Sequence, residues 1–177
     1  KEFTSTLTGV LSDDATYGKV LNGYTIFNND QNPNIEGVNT ALSGRNPFTI
    51  ELQVKGIAES GQCDINSKGD HQVCIRTDGH KFDFYICTTG GVWYQNSYTI
   101  PSDWNGNWHH IAGVFDGEYM RLYIDGVQQK EIEGGGKIPG DINKSQNELS
   151  LNWNTEAGRR GHSQIAKVRI YSTALTA

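Results

Sequence analysis

Trp104-Asn105-Gly106-Asn107-Trp108-His109-His110-Ile111-Ala112-Gly113-Val114-Phe115-Asp116-Gly117-Glu118-Tyr119-Met120-Arg121-Leu122-Tyr123-Ile124-Asp125-Gly126-Val127 is the stretch that decides the fold. Two apolar runs flank Asp116-Gly117, and a second Asp-Gly follows at Asp125-Gly126. Asp-Gly supplies the positive-φ conformations that tight hairpin turns need. In the second run Met120, Leu122 and Ile124 alternate with Tyr119, Arg121, Tyr123 and Asp125. That period of two buries one face and leaves the other half wet. The first run carries Ile111 and Phe115 on one face and Trp108, Ala112 and Val114 on the other. Such a strand is expected to be central and covered on both sides. The whole stretch reads as a meander of three strands joined by Asp-Gly turns.

Outward from it, Phe48-Thr49-Ile50-Glu51-Leu52-Gln53-Val54-Lys55 alternates without a fault, with Phe48, Ile50, Leu52 and Val54 toward the core. Gly56 to Gly69 reads as a loop. Val73 and Ile75 then point one way and Gln72, Cys74 and Arg76 the other. A turn at Asp78-Gly79 leads to Phe82, Phe84 and Ile86 inward, with Asp83, Tyr85 and Cys87 outward. Val92-Trp93-Tyr94 and Tyr98-Thr99-Ile100 read as two short strands. Leu149, Leu151 and Trp153 alternate with Glu148, Ser150 and Asn152, and Ile165–Tyr171 is a last strand. Residues 1–47 are the least regular, with short strands expected around Leu7, Val10, Leu11, Val20, Leu21, Ile26 and Phe27. Helical periodicity is sustained nowhere. Many short strands without helices imply an all-β, two-sheet antiparallel sandwich of the jelly-roll kind.

Length and composition agree. A chain of 177 residues suits one domain, 1–177, able to bury a core without disulfides or metal. Four Trp, six Phe and eight Tyr against a single Met favour strands, and 21 Gly supply turns. The formal charge of −5 argues against nucleic acid and against an anionic membrane surface. No apolar run has the length of a membrane span, and none resembles a signal peptide. The abrupt start at Lys1-Glu2-Phe3-Thr4 fits a domain cut from something longer. Cys63, Cys74 and Cys87 form no Cys-x-x-Cys pair. The hairpin places Cys74 opposite a residue near Asp83 rather than Cys87, so buried free thiols are expected.

Trp108 to Gly117, followed by Leu122-Tyr123-Ile124-Asp125-Gly126, resembles the signature hairpin of laminin-G-like, concanavalin-A-like jelly-roll domains. Val168-Arg169-Ile170-Tyr171-Ser172-Thr173-Ala174-Leu175 is similar to their closing strand. Ser67-Lys68-Gly69-Asp70-His71-Gln72 with Trp108-His109-His110 resembles the carbohydrate-binding modules appended to large bacterial β-galactosidases and related extracellular glycosidases. The resemblance runs from about Phe48 to Leu175. It departs at Ser163–Val168, where the family often has Gly-x-Ile-Asp-Glu-Val. Ala166 and Lys167 replace the acidic pair, so a structural calcium has no clear motif here, and no cofactor is expected.

Hydrolysis of a glycosidic bond needs two carboxylates set across the sugar. The nearest lookalike, Glu131-Ile132-Glu133, lacks the middle Asp of the glucanase motif and runs into Gly134-Gly135-Gly136. It reads as solvated carboxylates, so no catalytic residue is assigned. His109 and His110 are adjacent on a strand, point to opposite faces and cannot chelate one ion; they read as strand histidines packed beside Trp108. Sugar binding instead needs an aromatic ring to stack on a pyranose and polar groups for its hydroxyls. Two polar loops offer these: Lys68-Gly69-Asp70-His71-Gln72, and Asn154 to His162 with Glu156, Arg159 and Arg160. Trp93 and Tyr94, after Gly90-Gly91, are the candidate stackers. Each has a plainer role available: Trp93 as core, Lys68 and Asp70 as a turn pair, Arg159-Arg160 as a solvated doublet. Trp104, Trp108 and Trp153 are expected to be core or loop anchors. The two loops are expected to converge at one site, with Glu156 and Arg160 mutually dependent.

The resemblance implies a non-catalytic module that binds a terminal galactose-type glycan, such as lactose. It also implies a bacterial extracellular or cell-surface setting, with the other domains of a parent glycosidase as neighbours. A protein-interaction module of laminin-G type is the alternative, with a glycosidase of the same fold behind it.

Overall fold

The computed structural model describes residues 10–14, 18–22, 34–35, 41–56, 61–129, 136–147, 149–154, 156–161 and 163–176. Every regular element among them is a strand: β1 (Val10–Asp14), β2 (Gly18–Asn22), β3 (Asn34–Ile35), β4 (Phe48–Lys55), β5 (Gln62–Ser67), β6 (Val73–Asp78), β7 (Lys81–Cys87), β8 (Trp93–Thr99), β9 (Trp108–Phe115), β10 (Met120–Ile124), β11 (Val127–Gln128), β12 (Leu149–Leu151), β13 (Trp153–Asn154), β14 (Arg159–Arg160) and β15 (Gln164–Tyr171). They form a seven-stranded sheet in the order β1-β2-β15-β4-β9-β10-β11, a six-stranded sheet β3-β12-β5-β6-β7-β8, and the small hairpin β13-β14. All pairings are antiparallel, as expected of the sandwich.

The meander is β9, β10 and β11, turning where the Asp-Gly pairs stand. Strand β9 lies between β4 and β10, a central position. Phe48, Ile50, Leu52 and Val54 of β4, with Ile111, Phe115 and Leu122, meet Val73, Ile75, Phe82, Phe84 and Ile86 from the other sheet. Each buried side chain of this size contributes about 2 kcal/mol. Gly113 sits where the sheets come closest: a Cβ there would lie 2.7 Å from the Phe84 ring.

Several expectations change. Gly56–Gly69 is not all loop, because β5 occupies Gln62–Ser67. A bulge between Asp64 and Asn66 breaks its alternation, which hides the strand from a period-two search. The two short strands around Trp93 and Tyr98 are one continuous strand, β8. Cys74 faces Tyr85, because Asp78 pairs with Lys81 and the turn residues are Gly79-His80. Gly79, with φ of 60°, takes the first turn position, where a two-residue hairpin favours glycine. All three cysteines are free and buried.

Outward positions are not all wet. Thr49, Glu51, Ala112 and Val114 are buried on the outer face of the seven-stranded sheet. There the Thr49 hydroxyl donates to Thr173 O and accepts from Leu175 N, which lays the C-terminal segment against that face. Asp83 and Cys87 are buried on the other sheet. Of the tryptophans, Trp104 is buried as expected, but Trp108 is 41% exposed. His109 stacks on Trp104, not Trp108, at 3.6 Å. Leu7, Ile26 and Phe27 lie outside the described residues, as do Glu131 and Glu133.

Candidate functional site

The register across β5, β6, β7 and β8 aligns Asp64 with Arg76, Asp83 and Ser97, and Cys74 with Tyr85 and Gln95, on the outer face of the six-stranded sheet. Two segments fold over one end of that face. One is the turn Gly69-Asp70-His71. Gly69 has φ of 72°, and a Cβ on it would collide with Asn147 and Glu156, so only glycine lets the turn pass beneath them. The other is the hairpin β13-β14. It leaves β12 at Asn152, a left-handed residue with φ of 53°, a conformation that asparagine tolerates. That turn ends the Leu149–Trp153 alternation and sends Asn154, Glu156 and Arg159 back across β5.

The two segments meet. Asn154 Nδ2 donates to Asp64 Oδ2 at 2.5 Å and to Asp70 Oδ1 at 2.7 Å. Arg76 donates from Nε to Asp64 Oδ1 at 2.5 Å and from Nη2 to Asp70 Oδ1 at 3.0 Å. Arg159 donates from Nε to Asp64 Oδ2 at 3.2 Å and from Nη2 to Asp70 Oδ1. Two carboxylates thus hold two guanidiniums. A single buried charge would be costly, but here each has opposite neighbours and directed hydrogen bonds. Glu156 adds a clamp: its carboxylate accepts from Asp70 N at 2.6 Å and lies 2.5 Å from His71 Nδ1.

Beside this network runs a groove of about 320 Å³ lined by Gln62, Asp70, His71, Arg76, Tyr85, Trp93 and Arg159. Trp93 is 37% exposed. Its ring centre lies 6.0 Å from those of His71 and Tyr85. Arg76 stands over the Tyr85 ring at 5.1 Å, so a cation and three rings make one wall. Beneath Tyr85, burial raises the Asp83 carboxyl above its usual range, against hydrogen bonds from Ser97 and from the Tyr85 hydroxyl.

Of the residues selected by sequence, Asp70, His71, Trp93 and Arg159 line the groove, while Asn154 and Glu156 tie its loops together. The others go elsewhere. Lys68 and Gln72 are wholly buried; Gln72 Nε2 donates to Leu42 O, and its Oε1 accepts from Ser145 N. Tyr94 packs against the core because it is one residue out of phase with Trp93. Arg160 is likewise out of phase with Arg159, and its guanidinium lies 4.5 Å over the Trp153 ring. Glu156 clamps Asp70 and His71. Sequence reading missed Gln62, Asp64, Arg76 and Tyr85. The available signal was the shared outward phase of Arg76, Tyr85 and Trp93, which a correct hairpin register would have aligned.

Burial, first among the causes, pushes the Cys63, Cys74 and Cys87 thiols up. His109 and His110 face opposite ways, to Asp125 and Glu51 respectively. The described residues hold no cluster of three or more His, Cys, Asp or Glu suited to a metal ion.

No curated protein matches the chain in sequence. Among solved structures, the binding domain of botulinum neurotoxin serotype G superposes with a TM-score of 0.70 at 15% identity, over 98% of this chain and 44% of that one. The binding domain of Paraclostridial Mosquitocidal Protein 1 gives 0.65 at 13%, over 99% and 45%. This chain therefore spans less than half the length of those two. Domain 4 of AbnA, a GH43 extracellular arabinanase from Geobacillus stearothermophilus, in complex with arabinotriose, gives 0.65 at 22%, over 98% and 84%. These identities speak for the fold. A laminin-G family model, described as concanavalin A-like lectin/glucanases superfamily, matches residues 27–177, and the chain belongs to that superfamily.

Proposed function

We propose that this domain is a non-catalytic carbohydrate-binding module that takes a galactose-type glycan, such as lactose, in the groove beside Trp93. The observation that carries this reading is an exposed indole standing against a ring of charged, hydrogen-bonding side chains. A sugar asks for that pairing: its C–H face stacks on the ring while its hydroxyls meet carboxylate and guanidinium. Galactose, with one axial hydroxyl, gathers its C–H groups on one face, which suits a single stacking ring.

Binding without hydrolysis is supported by the state of the carboxylates. Asp64 is fully buried, and both Asp64 and Asp70 are held by Arg76 and Arg159. Asp64, sealed beneath the groove, does not reach a glycosidic oxygen. The arabinanase domain, a part of an extracellular enzyme seen with an oligosaccharide, supports a bacterial, extracellular or cell-surface setting. It also supports a single domain, 1–177, serving a parent glycosidase. A small open groove buries little ligand area, so affinity is expected on the order of micromolar to millimolar.

A glycan array followed by calorimetric titration with lactose and arabinotriose tests the reading. Saturable binding of lactose is expected, with no reducing sugar released. Tighter binding of arabinotriose would replace the galactose assignment. Capture of a protein partner with no glycan bound would move the domain to the adhesion class.

A further inference from the structure

The acceptor geometry at Asp70 is asymmetric. Arg76 Nη2, Arg159 Nη2 and Asn154 Nδ2 all donate to the same oxygen, Oδ1. Among the described residues, no donor reaches Oδ2. The side chain is 25% exposed and lines the groove. Arg159 is built the same way: Nε and Nη2 are engaged with Asp64 and Asp70, Nη1 has no partner among the described residues, and the side chain is 21% exposed. Arg76, at 8%, is nearly enclosed beneath them and serves as support.

We infer that Asp70 Oδ2 and Arg159 Nη1 together read two adjacent hydroxyls of the sugar stacked on Trp93. The inference rests on the carbohydrate-binding reading above and deepens it. A carboxylate oxygen only accepts and a guanidinium only donates. Side by side they suit neighbouring hydroxyls, one donating its proton to Asp70 and the other accepting from Arg159. The three clamps on Oδ1 fix the carboxylate before the ligand arrives, so little side-chain freedom is lost on binding. The ligand class is then a neutral sugar with a free vicinal diol next to its stacking face. A substituent on either hydroxyl, or a sugar carboxylate facing Asp70, is refused.

Asp64 is the positioning residue. Wholly buried, it accepts from Arg76, Arg159 and Asn154, the same three side chains that clamp Asp70.

The test is a calorimetric cycle with methyl β-galactoside and its 2-, 3- and 4-deoxy analogues against wild type, Asp70→Asn and Arg159→Gln, with thermal melting as the fold control. Asp70→Asn keeps an oxygen for the clamp and turns the free position from acceptor to donor. Wild type should lose about tenfold in affinity for two deoxy analogues at neighbouring positions, and little for the third. Asp70→Asn should lose about tenfold for the parent glycoside and nothing further for one of those two analogues, with Arg159→Gln insensitive to the other. Unchanged glycoside affinity in a folded Asp70→Asn overturns this inference and leaves the binding reading standing, as does equal wild-type affinity for all three analogues. Should Asp70→Asn fail to fold, the analogue series on wild type and Arg159→Gln decides alone. Wild type that binds no glycoside at all overturns both.

Discussion

On the outer face of the seven-stranded sheet, Glu51 accepts from Arg169 and Tyr171 on Oε1 and faces His110 with Oε2. Beside the six-stranded sheet, Asp70 takes three donors on one oxygen, and no donor among the described residues reaches the other. Both carboxylates lie among cations, but they do different work. Both Glu51 oxygens have protein partners, and a narrow apolar pocket with Leu175 in its wall lies over them. That is a fastening between strands. Asp70 is held just as firmly and remains half available. A charge network marks a binding site when some of its hydrogen-bonding capacity stays directed at solvent. Burial or charge alone does not separate the two cases.

The largest effect should come from breaking the anchor under Asp70. Asp64→Ala leaves two guanidiniums facing a void and should cost about 3–5 kcal/mol in denaturant unfolding. A loss below about 1 kcal/mol would mean that the cluster behaves as a surface ion pair.

Glu51 should show its role as a fastening through pH. Burial alone would raise its carboxyl, but hydrogen bonds from His110, Arg169 and Tyr171 outweigh that and bring it from 4.5 to about 2. A carboxyl lowered in the folded state stabilises it above the unfolded value. That contribution, about 3 kcal/mol, is therefore full well above pH 4.5 and is lost as pH falls toward 2. Glu51→Gln should flatten this part of the acid-unfolding profile while leaving lactose affinity unchanged. A mutant with the wild-type profile would refute the assignment.

Trp93→Ala sharpens the other side of the comparison. Its ring is partly exposed, so the melting temperature should hold while lactose affinity falls about tenfold, the loss of roughly 1–2 kcal/mol of stacking. An unfolded mutant would make Trp93 a core residue after all. The smallest effect belongs to Arg160→Ala. Its guanidinium lies over Trp153 on the far side of β14, so affinity should stay within about twofold and stability should drop by about 0.5 kcal/mol. A tenfold loss of affinity would bring Arg160 into the site.

Alternation alone determined much of this protein. Phe48–Lys55, Phe82–Ile86 and Met120–Ile124 bury the faces their patterns mark, because a strand turns successive side chains to opposite sides whatever surrounds it. The Asp-Gly pairs at 116 and 125 placed the meander for the same local reason. The binding face needed the tertiary structure. A bulge at Ile65 hid β5 and with it Asp64. Lys68 and Asp70 look alike in sequence, yet one is sealed inside while the other opens to the groove. Asp64 and Asn154 stand 90 positions apart and share a hydrogen bond. No spacing rule links such residues, because their contact depends on β12 pairing with β5 and on a left-handed Asn152 turning a hairpin back over β5. Periodicity reports which side of a strand is apolar; only the packed chain decides what comes to cover the other side.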